Sequence, residues 1–271
     1  MGKGKEWLKD KLGFDFVVRF IWKRESLHGQ VNYRLIDHLL KRGMSVIDVG
    51  ASNGVFTTRF LQLVGLDGVV YAIEPHPANR ELLESIAKRH PQVWPEYVAA
   101  SDRSGTAHLV VPIQNGIAHT GLSRLDPDQT RHDVETFVVE TRRLDDIVPQ
   151  LNAISFLKID VEGHEIQVLQ GATRILASRP MLLVEIEQRH SAGELNATVD
   201  WILQLGYDGW ALFEKGLRPI NCFNLERDQT AFLTQGFQDM MPTGYVNDFL
   251  FLPSGVLPPK RLIDTTAIKE T

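Results

Sequence analysis

A junction between an apolar strand and a glycine-containing turn restricts the possible folds of this chain most. Residues 45–49 are a short, mainly apolar run with three β-branched residues, Val46, Ile47 and Val49, so they predict a buried strand. The turn Gly50-Ala51-Ser52-Asn53-Gly54 follows, and residues 55–64 then have a helical pattern that Gly65 would end. Glycines let the backbone approach a ligand closely, and the start of a helix offers unpaired N–H donors. The junction predicts a ligand site, with a plain strand-to-helix turn as the alternative.

The spacing of these glycines excludes two common nucleotide-binding motifs. It is G-x-x-x-G, which is neither the dinucleotide motif G-x-G-x-x-G nor a P-loop, because no Gly-Lys-Ser/Thr follows. The site at this turn therefore needs another kind of ligand.

Strands and helices alternate along most of the chain. The predicted strands span 45–49, 69–73, a segment ending at 98–100, 154–159 and 181–186, and the predicted helices span 55–64, 78–89, 165–177 and 193–205. This alternation is typical of a parallel sheet with helices on both faces. Residues 105–143 interrupt it with two strand-like stretches, 106–112 and 135–142, which predict a small antiparallel insertion. Residues 208–217 and 245–252 predict antiparallel strands near the end.

The organisation predicted from these patterns has three parts. Residues 1–43 form an N-terminal helical segment, 44–255 form the main domain with its insertion at about 105–143, and 256–271 form a tail. A chain of 271 residues is long enough to bury a substantial core.

Composition excludes several classes of protein. Charged residues make up 23% and the net charge is −5, which suits a folded soluble protein and argues against a dedicated nucleic-acid binder. Cys222 is the single cysteine, so no intrachain disulfide and no cysteine-based metal cluster can form. Apolar runs are too short to span a bilayer, and no signal-peptide pattern opens the chain, so we expect a cytoplasmic location.

Polar residues stand where the predicted strands end. Glu74, followed by Pro75, comes at the tip of the second strand, where a carboxylate can accept hydrogen bonds from both hydroxyls of a ribose. Ser101 and Asp102 follow the third strand and are placed to reach an adenine edge. The alternatives are a solvated carboxylate for Glu74 and ordinary turn residues for the pair.

The fourth strand of the alternating series carries the densest group of charges. Lys158, Asp160 and Glu162 lie two residues apart, so they share a face if the strand extends that far, and His164 follows. Three charges on one face of a buried strand are costly unless they are paired or used. The alternative is a structural Lys158–Asp160 ion pair with Glu162 capping the next helix. Glu185 and Glu187 similarly share a face of the next strand.

Several of these segments together resemble one family. They are 46–54 (Val-Ile-Asp-Val-Gly-Ala-Ser-Asn-Gly), 73–77 (Ile-Glu-Pro-His-Pro), 100–102 (Ala-Ser-Asp), 157–165 (Leu-Lys-Ile-Asp-Val-Glu-Gly-His-Glu) with 168–172 (Val-Leu-Gln-Gly-Ala), and 182–187 (Leu-Leu-Val-Glu-Ile-Glu). In this order they are similar to the FkbM family of S-adenosylmethionine-dependent methyltransferases.

The resemblance implies a fold, a cofactor and an activity. The fold would be α/β, a Rossmann-like class I methyltransferase sheet of seven mostly parallel strands with the last antiparallel. The activity would be methyl transfer from S-adenosylmethionine, most often to a hydroxyl oxygen of a sugar, polyketide or similar small molecule.

The same resemblance implies roles for single residues. Cofactor contacts would come from Asp48, Gly50, Ala51, Asn53, Gly54 and Phe56 on the methionine side, from Glu74 and Pro75 at the ribose, from Ser101 and Asp102 at the adenine, and from Asp160. Asp160 and Glu162 would lie beside the methyl group.

Methyl transfer requires an aligned acceptor oxygen and the removal of its proton. The candidate bases are His164, Asp160 and Glu162, and Lys158 completes the catalytic group. The candidate acceptor contacts are His119, Thr120, Ser123, Glu185 and His190. Oxygen and imidazole ligands for a metal are present around Asp160 and His190, but no ligand-spacing motif such as H-E-x-x-H is, so no metal is expected.

Two other functions remain open on sequence grounds. One is a nicotinamide-dependent oxidoreductase, against which the absence of G-x-G-x-x-G argues. The other is an inactive cofactor-binding scaffold that acts through residues 1–24, which contain seven basic and three acidic residues among several aromatic ones. This segment suits contact with a membrane surface or a partner protein, or a helix packed on the sheet. We expect a small-molecule or glycan acceptor, no nucleic acid and no transmembrane segment.

Overall fold

The computed structural model describes residues 14–27, 31–114, 117–118, 123–125, 133–148, 153–190, 194–233 and 242–264. Its strands are β1 Ser45–Val49, β2 Val69–Ile73, β3 Val93–Glu96, β4 Ala99–Ser101, β5 Gly105–Gln114, β6 Ile117–Ala118, β7 Arg124–Leu125, β8 Val134–Arg143, β9 Phe156–Ile159, β10 Met181–Glu185, β11 Tyr207–Phe213, β12 Gly216–Pro219 and β13 Asp248–Pro253. Its α-helices are α1 Phe14–Leu27, α2 Val31–Leu39, α3 Val55–Val64, α4 Pro77–Arg89, α5 Leu144–Ile147, α6 Glu165–Gln170, α7 Thr173–Ala177, α8 Glu194–Gln204 and α9 Ala231–Leu233. Short 3₁₀ turns lie at Ile220–Cys222 and Lys260–Leu262, and a π-helical turn lies at Glu226–Thr230.

An eight-stranded sheet in the order β12-β11-β13-β10-β9-β1-β2-β3 forms the centre of the structure. The five strands from β10 to β3 are parallel, whereas β13, β11 and β12 each pair antiparallel with their neighbours. The predicted α/β fold, mostly parallel with an antiparallel final strand, is confirmed. The sheet has eight strands rather than seven, because the predicted strand at 208–217 folds back on itself as the β11–β12 hairpin.

The predicted insertion is a second, smaller sheet with the order β4-β8-β5-β6, to which β7 adds by pairing with β5. The long β5–β8 pair is antiparallel, as its alternating pattern predicted. One expectation was wrong: residues 98–100 do not end the third strand of the main sheet. That strand is β3, and β4 pairs instead with β8 in the second sheet. Residue pattern alone does not report which neighbour a short apolar strand pairs with.

Apolar side chains cover both faces of the central sheet. On β1, Val46 belongs to the apolar cluster that also contains α1 to α4 residues, whereas Ile47 belongs to the cluster on the opposite face. Successive strand residues point to opposite faces, so a strand buried on both sides needs apolar residues at nearly every position. Phe60 of α3 packs edge-on against Phe156 of β9 at 5.7 Å between ring centroids.

The helix expected over 165–177 is divided in two at Gly171. A Cβ at this glycine would lie 1.9 Å from the backbone oxygen of Ser101, so the chain can pass so close to β4 only without a side chain. The end of α6 therefore lies against β4. His164, the residue preceding α6, also contacts this strand, through the side chain of Ser101.

Candidate active site

The glycine turn after β1 contacts the ends of two neighbouring strands, β2 and β9. Gly50 has φ +78°, and a Cβ there would lie 1.8 Å from the backbone oxygen of Asp160. The backbone N–H groups of Gly50 and Ala51 both donate to the carbonyl of Ile73, at 3.0 and 3.1 Å. The turn is therefore fixed to the ends of β2 and β9, where ligands of open α/β sheets bind.

A first cavity of about 610 Å³ lies beside this turn. Seven of the residues singled out from sequence line it: Gly50, Glu74, Pro75, Ser123, Asp160, Glu162 and His164. Apolar side chains complete its wall, among them Ile73, Val98, Leu109 and Leu125.

Glu74 presents its carboxylate at the end of β2. Its two oxygens accept the backbone N–H groups of Ser52 and His76, each at 2.8 Å. Burial raises the pKa of this carboxyl, and the two backbone donors oppose that rise. Each oxygen keeps a further lone pair, so the group can still accept hydrogen bonds from a ligand's hydroxyls.

Lys158 of β9 lies between two carboxylates. Its Nζ is 2.9 Å from Asp160 Oδ2 and 3.8 Å from Asp48 Oδ1, and it lies 4.7 Å from the centre of the Phe56 ring. Burial by itself would lower the pKa of Lys158, but the carboxylates of Asp160 and Asp48 raise it overall, so the ammonium stays charged. Asp48 is fully buried and also accepts the Thr57 hydroxyl at 2.6 Å. The ion pair considered from sequence is present.

A second cavity of about 1,180 Å³ opens on the other side of Asp160. Polar and aromatic side chains from α2, β9, β10 and β13 contribute to its lining, which includes Asn32, Tyr33, Phe56, Lys158, Asp160, Glu185, Glu214, Tyr245, Asn247 and Asp248. Asp160 lines both cavities, which therefore meet at the end of β9. This is the geometry required of a site that brings two ligands together.

Glu185 and Asp248 stand side by side in the second cavity, because they are directly paired across β10 and β13. Asn247 donates to Glu185 at 2.7 Å, and Asn32 donates to Asp248 at 2.8 Å. Burial and then the charge of Asp160 raise the pKa of Asp248 to about 7. The same two causes raise the pKa of Glu185 well above its ordinary value.

Sequence patterns did not predict Asp248 and Asn32, because the two residues come together from opposite ends of the chain. The available signal is the acidic residue at the start of the apolar run 249–252. A charge that opens a buried strand indicates a site in the same way as Asp160, which follows one.

Glu162 does not continue the face of β9, which corrects the expectation that it shares a face with Lys158. The strand ends at Ile159, and Glu162 has φ +57°. Its carboxylate instead lies 2.7 Å from Nε2 of His190, while Arg189 pairs with Glu187. Burial raises the pKa of Glu162, and its hydrogen bond to His190 opposes this.

His164 belongs to the first cavity and not to the second. Its Nε2 lies 2.9 Å from the hydroxyl of Ser101, which also donates to Asp102 at 3.1 Å. Burial lowers the pKa of His164. The structure thus brings Ser101, Asp102 and His164 together at the edge of the first cavity, so His164 lies with the pair predicted for the adenine rather than with the other base candidates.

Other residues proposed from sequence lie apart from the lining of the first cavity. Ala51 is packed in the core, and Asn53 is exposed with its side-chain oxygen accepting the Val55 N–H at 3.3 Å. Gly54 abuts Ile86, and Phe56 faces the second cavity. His119 and Thr120 fall outside the described residues. Cofactor contact by Ala51, Asn53, Gly54 and Phe56 stays a prediction, as does acceptor contact by His119 and Thr120.

Within the described residues, histidine, cysteine and carboxylate side chains nowhere form a group of three or more able to hold a metal ion. The same part of the chain contains no helix long and apolar enough to cross a bilayer.

The profile of the methyltransferase FkbM domain matches residues 48–208, which carry the glycine turn, Glu74 and the whole of β9. This chain belongs to the FkbM methyltransferase family. The resemblance found in its motifs is confirmed, and its cofactor is S-adenosylmethionine.

Individual relatives of this FkbM-family methyltransferase have different acceptors. Hexuronic acid methyltransferase AglP of Haloferax volcanii is 28% identical over 171 residues, which cover 62% of this chain and 67% of that protein. Ribosomal RNA large subunit methyltransferase E of Acidithiobacillus ferrooxidans is 33% identical over 75 residues, or 26% of this chain and 33% of that protein.

Solved structures with a similar arrangement include methyltransferase FkbM from Methylobacillus flagellatus KT, at 17% identity and a TM-score of 0.49. The match covers 77% of this chain but only 43% of that one.

The first cavity fits S-adenosylmethionine. The bare backbone at Gly50 admits a ligand close to the β1 turn, the free lone pairs of Glu74 suit a ribose diol, and the apolar wall suits a flat ring. Carboxylates of Asp160 and Glu162 also line this cavity, where they complement a positively charged sulfonium.

Proposed function

We propose that this chain transfers a methyl group to a hydroxyl oxygen of a sugar, or of a similar uncharged hydroxyl-rich molecule, bound in the second cavity. The observation that carries the proposal is that the two cavities meet at Asp160. A cofactor in the first cavity and an acceptor in the second would have their reacting atoms on either side of this residue.

The cofactor, when bound, supplies an electrophilic methyl group. Glu74 would bind the ribose, the backbone at Gly50 would allow the methionine part to lie against the end of β1, and Ser101 with His164 would face the adenine side. Asp48 lies in the core beneath the glycine turn, where its carboxylate helps to keep Lys158 charged. These residues mainly bind and orient, and orientation supplies much of the rate of such a transfer.

Asp160 is the proton acceptor that the geometry supports best, because the reacting hydroxyl must lie where the cavities meet. Proximity to the proton is the first requirement of a base, and the pKa is the second. Lys158 fixes the carboxylate of Asp160 from one side at 2.9 Å. His164 faces the first cavity and Glu162 is engaged by His190, so we place both after Asp160.

The lining of the second cavity favours an uncharged acceptor. Carboxyl groups of Asp160, Glu185, Glu214 and Asp248 line it, and Lys158 is paired with Asp160 and Asp48. Carboxyl and amide groups form hydrogen bonds with sugar hydroxyls, and a lining of acids whose cation is already paired offers no partner for the negative charge of a phosphodiester or a uronic acid. The chain is therefore proposed to differ in acceptor from its RNA- and hexuronic-acid-methylating relatives.

The first test of the cofactor site is calorimetric titration with S-adenosylmethionine, S-adenosylhomocysteine and NADH. We expect micromolar binding of the first two and none of NADH. Binding of NADH alone would contradict the proposal, and binding of none would favour an inactive scaffold.

The second test follows transfer of isotopically labelled methyl groups to a panel of neutral glycosides, uronic acids and an RNA oligonucleotide. We expect labelled products from neutral glycosides, and a fall of about 10²-fold or more for Asp160→Asn with cofactor affinity nearly retained. Asp67→Asn, which changes an exposed carboxylate, is the matched control. Preferential labelling of RNA or uronic acids, or full turnover by Asp160→Asn, would refute this acceptor site.

A further inference from the structure

Helix α1 has an inner side that anchors it to the domain. Val18 and Trp22, one turn apart, are buried in the core. The indole N–H of Trp22 donates to Asp37 Oδ1 at 2.9 Å, and Arg59 pairs with the same carboxylate at 2.7 Å. The packed-helix interpretation of the N-terminal segment is thus correct for this side.

The opposite side of α1 exposes two phenylalanines. Phe16 is 52% exposed and Phe20 is 65% exposed, and Arg19 and Lys23 are exposed beside them. At 3.6 residues per turn, these four positions fall within an arc of about 100°. Isolated exposed apolar residues are ordinary, but two aromatic rings one turn apart and flanked by cations form an amphipathic interfacial pattern.

Charge complementarity indicates what this face binds. Residues 1–24 contain seven basic and three acidic residues in a chain whose net charge is −5, so the stretch of sequence that includes Phe16 and Phe20 carries an excess of positive charge. Anionic lipid headgroups attract Lys and Arg, and phenylalanine rings partition into the boundary between headgroups and acyl chains.

We propose that the Phe16–Arg19–Phe20–Lys23 face of α1 docks on the surface of an anionic lipid bilayer. Docking needs no rearrangement, because Val18 and Trp22 keep the helix on the domain while the exposed face enters the interface. Trp22 packs against Tyr33 and Phe56, at 4.4 and 5.3 Å between ring centroids. Both of those rings line the second cavity, so the docked helix adjoins that cavity.

Vesicle flotation of the full chain tests this docking. The probes are phosphatidylcholine vesicles with and without phosphatidylglycerol. We expect flotation with the anionic vesicles only, and its weakening by salt. Arg19→Gln with Lys23→Gln should weaken partition roughly thirtyfold, at about 1 kcal/mol for each basic residue near the surface. Phe16→Ser with Phe20→Ser should abolish most of the remaining binding.

Controls separate docking from damage to the fold. Leu66→Ser removes an apolar side chain that is 82% exposed elsewhere and should float like the unchanged chain. Each variant should bind S-adenosylmethionine as the unchanged chain does, which makes this test independent of methyl transfer. Absence of flotation with anionic vesicles overturns the proposal, as does unchanged flotation of Phe16→Ser/Phe20→Ser. A dimer in sizing that is lost in that variant, without flotation, would assign the face to a second copy of the chain instead.

Discussion

Substitution of Gly50 by alanine should show how much the close contact between the glycine turn and the end of β9 contributes to stability and to cofactor binding. The new Cβ would lie 1.8 Å from the backbone oxygen of Asp160, where contacts under 3.0 Å are essentially never found, so the strand end must move by more than 1 Å. This movement would disturb the Asp160 N–H bond to Val49, which is 3.1 Å long. A 1 Å misplacement near reacting atoms costs about 10²-fold in rate.

Gly43 provides a matched comparison. Its φ of +80° is close to the +78° of Gly50, yet a Cβ at Gly43 would meet no atom within 4 Å. Gly43→Ala should therefore lose about 1–2 kcal/mol of unfolding free energy through backbone strain alone. Gly50→Ala carries the same strain plus about 1–3 kcal/mol of overpacking against an atom that cannot rotate away, for a total of roughly 2–5 kcal/mol.

Urea unfolding of both variants, combined with calorimetric titration of S-adenosylmethionine, measures the two effects. We expect Gly50→Ala to unfold at a clearly lower urea concentration than Gly43→Ala and to bind the cofactor at least tenfold more weakly. The reasoning fails if the unfolding free energies of the two variants agree within about 1 kcal/mol and both bind the cofactor with the same affinity. The close approach of β1 and β9 would then contribute nothing to stability or to cofactor binding.

Three further predictions concern the charged groups of the site. Glu74→Gln should weaken S-adenosylmethionine binding by about tenfold or more, because a charged acceptor of hydrogen bonds becomes neutral. An unchanged affinity in calorimetric titration would contradict this role of Glu74. Asp248 has its pKa raised from 3.8 to about 7, so the folded protein holds an extra proton between about pH 4 and 7 and loses unfolding free energy as the pH rises through that window. Urea unfolding at about pH 5 and 8 measures this loss of unfolding free energy, which Asp248→Asn should reduce by roughly 2 kcal/mol. The same pH dependence in the variant and the unchanged chain would show that Asp248 does not cause the loss. Lys158→Met leaves the buried carboxylate of Asp48 and the partly exposed one of Asp160 without their cation and should cost about 3–5 kcal/mol, whereas Lys215→Met at an exposed position should cost almost nothing. Equal urea midpoints for the two variants would contradict this.

The sequence determined the class of fold and the first cavity. The mainly apolar runs 45–49, 69–73 and 154–159 specify strands by local pattern, and each is followed by a residue that lines the first cavity. In parallel strands the carboxyl ends meet at one edge of the sheet, so local order alone brings Gly50, Glu74 and Asp160 together.

Only the tertiary structure decided the second cavity and the division of roles among the charges. Asn32 and Asp248 are 216 residues apart, and their 2.8 Å hydrogen bond exists because α2 packs against β11, the strand that pairs with β13. The end of β9 at Ile159 turned Glu162 away toward His190, which a two-residue spacing could not show. Local pattern encodes which residues end a strand, whereas the contacts of side chains beyond that end depend on neighbours from distant parts of the chain.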